Sequence, residues 1–354
     1  MVIGVALATD VAAGLQAGTV GLGVGILLGL CARLGDFCTL GALETALIGH
    51  DYRRLHIWSL ALGVAIISTH LADASNMIDI GRTLYHTLAW NPVASVAGGL
   101  LFGYGMAMAG NCGFGALVRA GDGDIRSILI VVVLGIATYA TLAGPLAPLR
   151  AFIFPQTEQA GRSGISEGLS SITSLDPTWL AAALGLLLIV TGMRHPQVRT
   201  SALTVTCAAG VGMSVMLSFL GTTQIAEYSM DAVLVEGPSY TAPVGRSILY
   251  LMTATGTAPS FSVGLVFGTL AGAVAGSLWR RSFRWEACDD PRELGRQLGG
   301  AILMGVGGVI AMGCTIGQGL TATALLAWSG PVTLLSIGAG AWVGLQRLLM
   351  PGDL

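Results

Sequence analysis

The sequence predicts an all-α polytopic membrane protein, with about nine transmembrane helices plus re-entrant or broken helices, in two repeated halves. Three observations carry this expectation. Hydrophobic residues make up 53% of the chain and charged residues 10%. Mean hydropathy is +0.76. Glycine occurs 52 times in 354 residues. A soluble domain carries about 25% charge, so a chain this apolar must turn most of its surface to lipid. Glycine in a soluble helix costs about 1 kcal/mol relative to alanine. In a membrane, small residues let helices approach closely, and glycine-broken helices line cavities. A net charge of -2 implies no nucleic-acid partner.

Apolar runs of membrane-crossing length fall near 17–34, 56–73, 98–118, 127–145, 178–194, 199–220, 260–279, 297–320 and 331–348. A shorter apolar piece, 246–253, reads as interfacial or re-entrant. If the nine runs alternate, one side collects Arg53, Arg54, Arg119, Arg126, Arg194, Arg199, Arg280, Arg281, Arg284, Arg292, Arg296 and Arg347. The other side collects Asp73, Asp79, Glu227, Asp231 and Glu236, with Arg82, Arg150, Arg162 and Arg246. Basic loops stay in the cytoplasm, so the N-terminus is expected outside and the C-terminus in the cytoplasm. Met1 to Leu15 lacks a basic n-region, so no cleavable signal peptide is expected.

The Gly/Ser/Thr/Pro-rich loop at 146–177 divides the chain. Residues 1–155 form a first half, 156–177 an extracytoplasmic linker and 178–354 a second half, all within one integral membrane domain. GGLLFGYGMAMAGNCGFG (98–115) parallels GAILMGVGGVIAMGCTIG (300–317), with Cys112 matching Cys314. A weaker match aligns Gly21, Gly25 and Gly29 with Gly264, Gly268 and Gly272. Counting spans inverts the first pair of segments but not the second, which implies a miscounted boundary or re-entrant segment.

The matched cysteines mark the candidate site. Each follows a glycine-rich helix and precedes a short helical piece framed by glycine: Asn111, Gly113 and Gly115 around Cys112, and Gly313, Thr315 and Gly317 around Cys314. A backbone break at membrane depth is tolerated where protein or a water-filled cavity surrounds it. The break exposes a helix N-terminus with free N–H groups and partial positive charge, which binds anions. A thiol adds a weak, soft donor. One thiol with several amides suits a sulfur-terminated oxyanion better than sulfate or phosphate. Cys38 stands similarly, after Arg33 and before Gly41. Cys31 and Cys207 read as small buried hydrophobes, and Cys288 lies in a polar stretch. Asn111 either offers its amide to the anion or caps the next helix, the cap being favoured. Gln318 either donates to the anion or bonds a neighbouring helix. Arg33 and Arg119 are possible mouth charges or simply flanking arginines, and Glu44 is placed to pair with Arg33. Trp90, Trp179 and Trp328 read as interface anchors. The five histidines show no metal-ligand spacing, and neither a nucleotide-binding motif nor a C-x-x-C pair occurs. No metal, cofactor or enzymatic activity is expected.

The Cys38 segment, GNCGFG at 110–115 and GCTIGQG at 313–319 together resemble the YeeE/YedE family of bacterial membrane proteins. The resemblance covers nearly the whole chain. It implies an hourglass of helices with a concavity on each face, and thiosulfate handed between Cys38, Cys112 and Cys314 by S–H···S hydrogen bonds without covalent change. It also implies a cytosolic TusA-like sulfurtransferase as partner. Transport of another sulfur or selenium species is the alternative, and a membrane thiol oxidoreductase a lesser one.

Overall fold

A computed structural model describes residues 2–157, 164–173, 176–229, 233–286 and 290–349. Arg162, Asp231 and Cys288 lie outside these. The described elements are helical. The first half contains α1 (Val2–Gly35), α2 (Thr39–Leu47), α3 (Arg53–Ala74), α4 (Leu84–Thr87), α5 (Pro92–Ala109), α6 (Gly113–Gly121), α7 (Ile125–Leu142) and α8 (Ala147–Ile153). Then follow α9 (Ile165–Thr173), α10 (Pro177–Met193), α11 (Pro196–Thr200), α12 (Ala202–Tyr228), α13 (Thr241–Thr253), α14 (Phe261–Trp279), α15 (Pro291–Ile310), a π-helical stretch Thr315–Ala322 and α16 (Ser329–Leu349).

Among the described residues, eight helical stretches are long and apolar enough to cross a membrane: 12–47, 53–74, 92–121, 125–142, 202–228, 261–279, 291–322 and 329–349. The remaining expected crossing, 178–194, falls on α10, an apolar helix of 17 residues. The 246–253 piece lies within α13. Local chemistry sets several starts. Asn91, Asp124, Ser201 and Asp290 each accept a backbone N–H of the following first turn, and proline opens α5 and α15. Proline is tolerated there because it lacks only an N–H with no helical partner.

Glycine sets the packing. α1 and α14 run parallel in backbone contact: a Cβ on Gly21, Gly25 or Gly29 would overlap the carbonyls of Phe261, Leu265 or Thr269 in turn. Reciprocally, Gly264, Gly268 and Gly272 lie on Gly18, Leu22 and Ile26. The weaker sequence match is thus a contact seam between the two helices. α5 and α15 run antiparallel, Gly98 meeting Ala311 and Gly105 meeting Gly300. Simple alternation of nine crossings is consistent with both relations.

One face gathers the arginines at the end of α1, the α6–α7 turn and the α14–α15 loop. There Arg33 pairs with Asp122 at 2.6 Å and Arg280 with Asp36 at 3.1 Å. The expected partnership of Arg33 with Glu44 is not formed; Asp122 takes the arginine instead. On the opposite face the 233–240 segment folds inward. Thr321 donates to the Pro238 carbonyl at 2.7 Å, and Tyr240 is fully buried.

Candidate functional site

Cys38, Cys112 and Cys314 occupy three copies of one backbone device. Two residues before each, the chain turns through the left-handed region: Asp36 at φ 53°, Gly110 at φ 74° and Met312 at φ 58°. That conformation ends a helix, and outside glycine it is uncommon. Each cysteine is then extended and caps the next helical piece. Its Sγ accepts the N–H of the residue three further on: Gly41 at 3.4 Å, Gly115 at 3.3 Å and Gly317 at 3.4 Å. A thiol so used as acceptor keeps its proton free, so the S–H can point at a ligand while the cap holds the sulfur in place.

The glycine at the third position opens the space beside each thiol. A Cβ on Gly41 would overlap Arg54 Nη1. On Gly115 it would lie 3.2 Å from the Asn111 carboxamide, and on Gly317 2.7 Å from Ser239 Oγ. Polar groups therefore face all three caps. The thiols also lie near one another. The Thr315 hydroxyl, next to Cys314, faces Cys112, and Cys112 is within electrostatic range of both Cys38 and Cys314. Cys112 and Cys314 are buried, at 0% and 1% exposed, whereas Cys38 is half-buried at the arginine-rich face.

A cavity of about 270 Å³ lies on the other face. Arg150, Glu236, Ser239, Thr241, Arg246 and Tyr85 help to line it, and its floor reaches Met312 and Gly313, adjacent to Cys314. Arg246 is neutralised by Glu236 at 2.9 Å and also bonds Ser262. Arg150 has a buried Nε with no partner. Tyr240 touches both the Cys314 cap and the first turn of α6. Its N–H donates to Cys314 Sγ at 3.3 Å, its hydroxyl bonds Thr269 at 2.7 Å and its ring packs on Phe114. Tyr85 donates to the Gly317 carbonyl at 2.9 Å. Burial raises the phenols of Tyr85 and Tyr240 well above their ordinary value, so both remain protonated.

The remaining sequence candidates fall as follows. Cys112 itself is the cap of α6, so Asn111 is not; oriented to suit its neighbours, its amide donates to the Gly110 carbonyl and accepts from Arg119 at 3.1 Å. Gln318 Nε2 donates to the Ala311 and Met312 carbonyls at 2.8 and 3.3 Å, closing the broken end of α15, which leaves Oε1 without a partner. Gly113 packs on Leu134 and Gly313 on Gln318. Arg33 is engaged by Asp122 and Ser282. Sequence reasoning missed Tyr85 and Tyr240, and it treated Arg54, Arg150 and Arg246 only as topology markers. One available signal was overlooked: Cys-x-x-Gly recurs at 38–41, 112–115 and 314–317, and as Cys-Thr-x-Gly in the first and last.

Comparison with known proteins places the chain in a family. Residues 34–343 match the family described as sulphur transport. The chain is 27% identical over 339 residues to the thiosulfate transporter TsuA of Escherichia coli (strain K12), covering 91% of this chain and 92% of that protein. It is 26% identical over 344 residues to the thiosulfate transporter TsuA of Spirochaeta thermophila, covering 91% and 96%. With the match spanning all three capped cysteines, the chain belongs to the sulphur transport family.

Proposed function

We propose that the protein carries thiosulfate inward across a bacterial inner membrane, with the arginine-rich face in the cytoplasm. The observation that carries this reading is the threefold cap: three thiols with free S–H protons, each beside helix N–H groups and a glycine-cleared polar space. A bare dianion is costly in an apolar interior. At the buried caps of Cys314 and Cys112, helix N-termini offset that cost with partial charges, where a full cation would hold the anion too tightly to release it. The thiol proton meets the terminal sulfur, while amides and hydroxyls meet the sulfonate oxygens.

The route runs from the cavity with Arg150 and Arg246, past Tyr240 to Cys314, then to Cys112 and out at Cys38. Because Cys112 and Cys314 are sealed from solvent, the anion moves between them by exchanging S–H···S hydrogen bonds, leaving chemically unchanged. A cytosolic sulfurtransferase of the TusA-like type is the receiver at the inner face. The direct test is growth on thiosulfate as sole sulfur source by a bacterial strain lacking its own thiosulfate importers. Expression of this protein is expected to restore growth; a protein present in the membrane without restored growth contradicts the reading.

A further inference from the structure

Next to Cys38, Thr39 and the Phe37-stacked Trp58 carry buried polar atoms without partners. The first turn of α3 passes the first turn of α2, and Arg54 lays Nη1 over Gly41. The Cβ position that this nitrogen denies to residue 41 is 3.6 Å from Cys38 Cβ. The missing side chain thus admits a guanidinium beside the thiol. Arg54 is half-buried and, among the described residues, pairs with no carboxylate. Trp58 lies one turn further along the same face of α3. It is 7% exposed, its ring stacks on Phe37 with centroids 4.8 Å apart, and its Nε1–H has no acceptor. Thr39, the first residue of α2, is 5% exposed and its hydroxyl is also unpartnered.

Buried donors in folded proteins almost always find acceptors, because leaving them bare is costly. Here the Arg54 guanidinium lies at the Cys38 cap without a counter-charge among the described residues, and two unpartnered buried polar groups sit on the residues next to it, Thr39 in the chain and Trp58 stacked on Phe37. An acceptor-rich anion would satisfy all of them at once. The other two caps differ in this respect. Beside Gly115 lies a carboxamide already held by Arg119, and beside Gly317 lie the hydroxyls of Ser239 and Tyr85. The full cation adjoins the cap glycine at Cys38, where the passage opens to the arginine-rich face.

We propose that Arg54, Trp58 and Thr39 form with Cys38 a dianion station at the inner end of the passage, and that Arg54 makes the transporter favour divalent over monovalent sulfur anions. A guanidinium fork matches two sulfonate oxygens, and its charge complements the second negative charge. The proposal rests on the reading that thiosulfate passes Cys38. Its test is labelled-thiosulfate uptake with methanethiosulfonate as competitor. That anion keeps the terminal sulfur and two oxygens but replaces the third by methyl and carries one charge fewer.

In Arg54→Gln, with membrane level checked by a tag, the half-saturation concentration for thiosulfate is expected to rise about tenfold, the loss of one charge-assisted pair. Methanethiosulfonate inhibition is expected to change little, so the preference narrows by the same factor. Arg54→Lys should keep most of the preference. Trp58→Phe, which deletes the N–H but keeps the ring, should weaken thiosulfate uptake a few-fold. An unchanged preference in Arg54→Gln overturns the proposal, as does equal weakening of both anions, which a packing role would give. If Arg54→Gln is not produced, unchanged half-saturation in Trp58→Phe overturns it. A wild-type protein that takes up no thiosulfate overturns the transport reading, and this proposal with it.

Discussion

The pattern Cys-x-x-Gly occurs at 38–41, 112–115 and 314–317, and again at 207–210, yet the last builds something different. At 314–317 the chain breaks, Met312 turns left-handed, and the Gly317 N–H is free to reach the thiol. At 207–210 the helix α12 runs on unbroken, so the Gly210 N–H stays in the helical ladder. The Cys207 thiol turns sideways to Cys31 on α1. Gly210 also has another duty. Its missing side chain makes room for Cys31, since a Cβ there would sit 2.6 Å from that sulfur. The same four letters thus give a thiol cap where the backbone is broken, and helix packing where it is not. Chemistry at the thiol depends on the break that frees the amides beside it.

Removing thiols should separate the two environments most sharply. Cys112→Ala and Cys314→Ala are expected to reduce thiosulfate uptake to background while the protein remains in the membrane. Each deletes a donor from the passage and little volume. Cys31→Ala and Cys207→Ala should retain uptake near wild type, with a stability loss of about 1 kcal/mol from the small cavity left behind. Transport assays alongside thermal denaturation in detergent distinguish the cases. Wild-type uptake by both passage variants would remove the distinction altogether.

A smaller effect tests the glycines. Gly317→Ala places a methyl 2.7 Å from Ser239 Oγ, inside the space beside the thiol, and should lower uptake without abolishing it. Gly210→Ala should lower thermal stability by about 1–3 kcal/mol through overpacking against Cys31. Adding Cys31→Ala should recover most of that loss, because the clash is with that side chain. A double variant no more stable than Gly210→Ala alone would show that the glycine serves something other than this contact.

How much of this was legible in the sequence follows from the range of the interactions. Membrane crossings are encoded locally, by apolar length, and all nine expected runs fall on helices. The cysteines at 112 and 314 stood out because their glycine frames repeat. The seam of Gly21, Gly25 and Gly29 with Gly264, Gly268 and Gly272 was visible as a match, but its physical meaning, two parallel backbones in contact, needed the helices to be placed. Tyr240 was hidden because its N–H reaches a sulfur 74 residues away, and no local pattern marks such a donor. Arg54 was hidden for the opposite reason. Positive charge at a span end is the commonest feature of the inner face, so one arginine aimed at a thiol looks like the rest. Gln318 misled because an amide beside a helix break suits an anion and a broken carbonyl ladder equally well; the carbonyls of Ala311 and Met312 take its donors.

The central claim is that sulfur at the cap, rather than any donor there, selects the anion. Labelled-thiosulfate uptake by wild type, Cys314→Ser and Cys314→Ala, with sulfate as competitor, tests it most directly. Serine can still accept the Gly317 N–H and donate a proton, but its oxygen is hard and its reach shorter. Uptake by Cys314→Ser is expected to be nearly as low as by Cys314→Ala, and sulfate to compete weakly with thiosulfate in wild type. Full activity in the serine variant, or strong competition by sulfate, would show that Cys314 is a generic hydrogen-bond donor and contradict the claim.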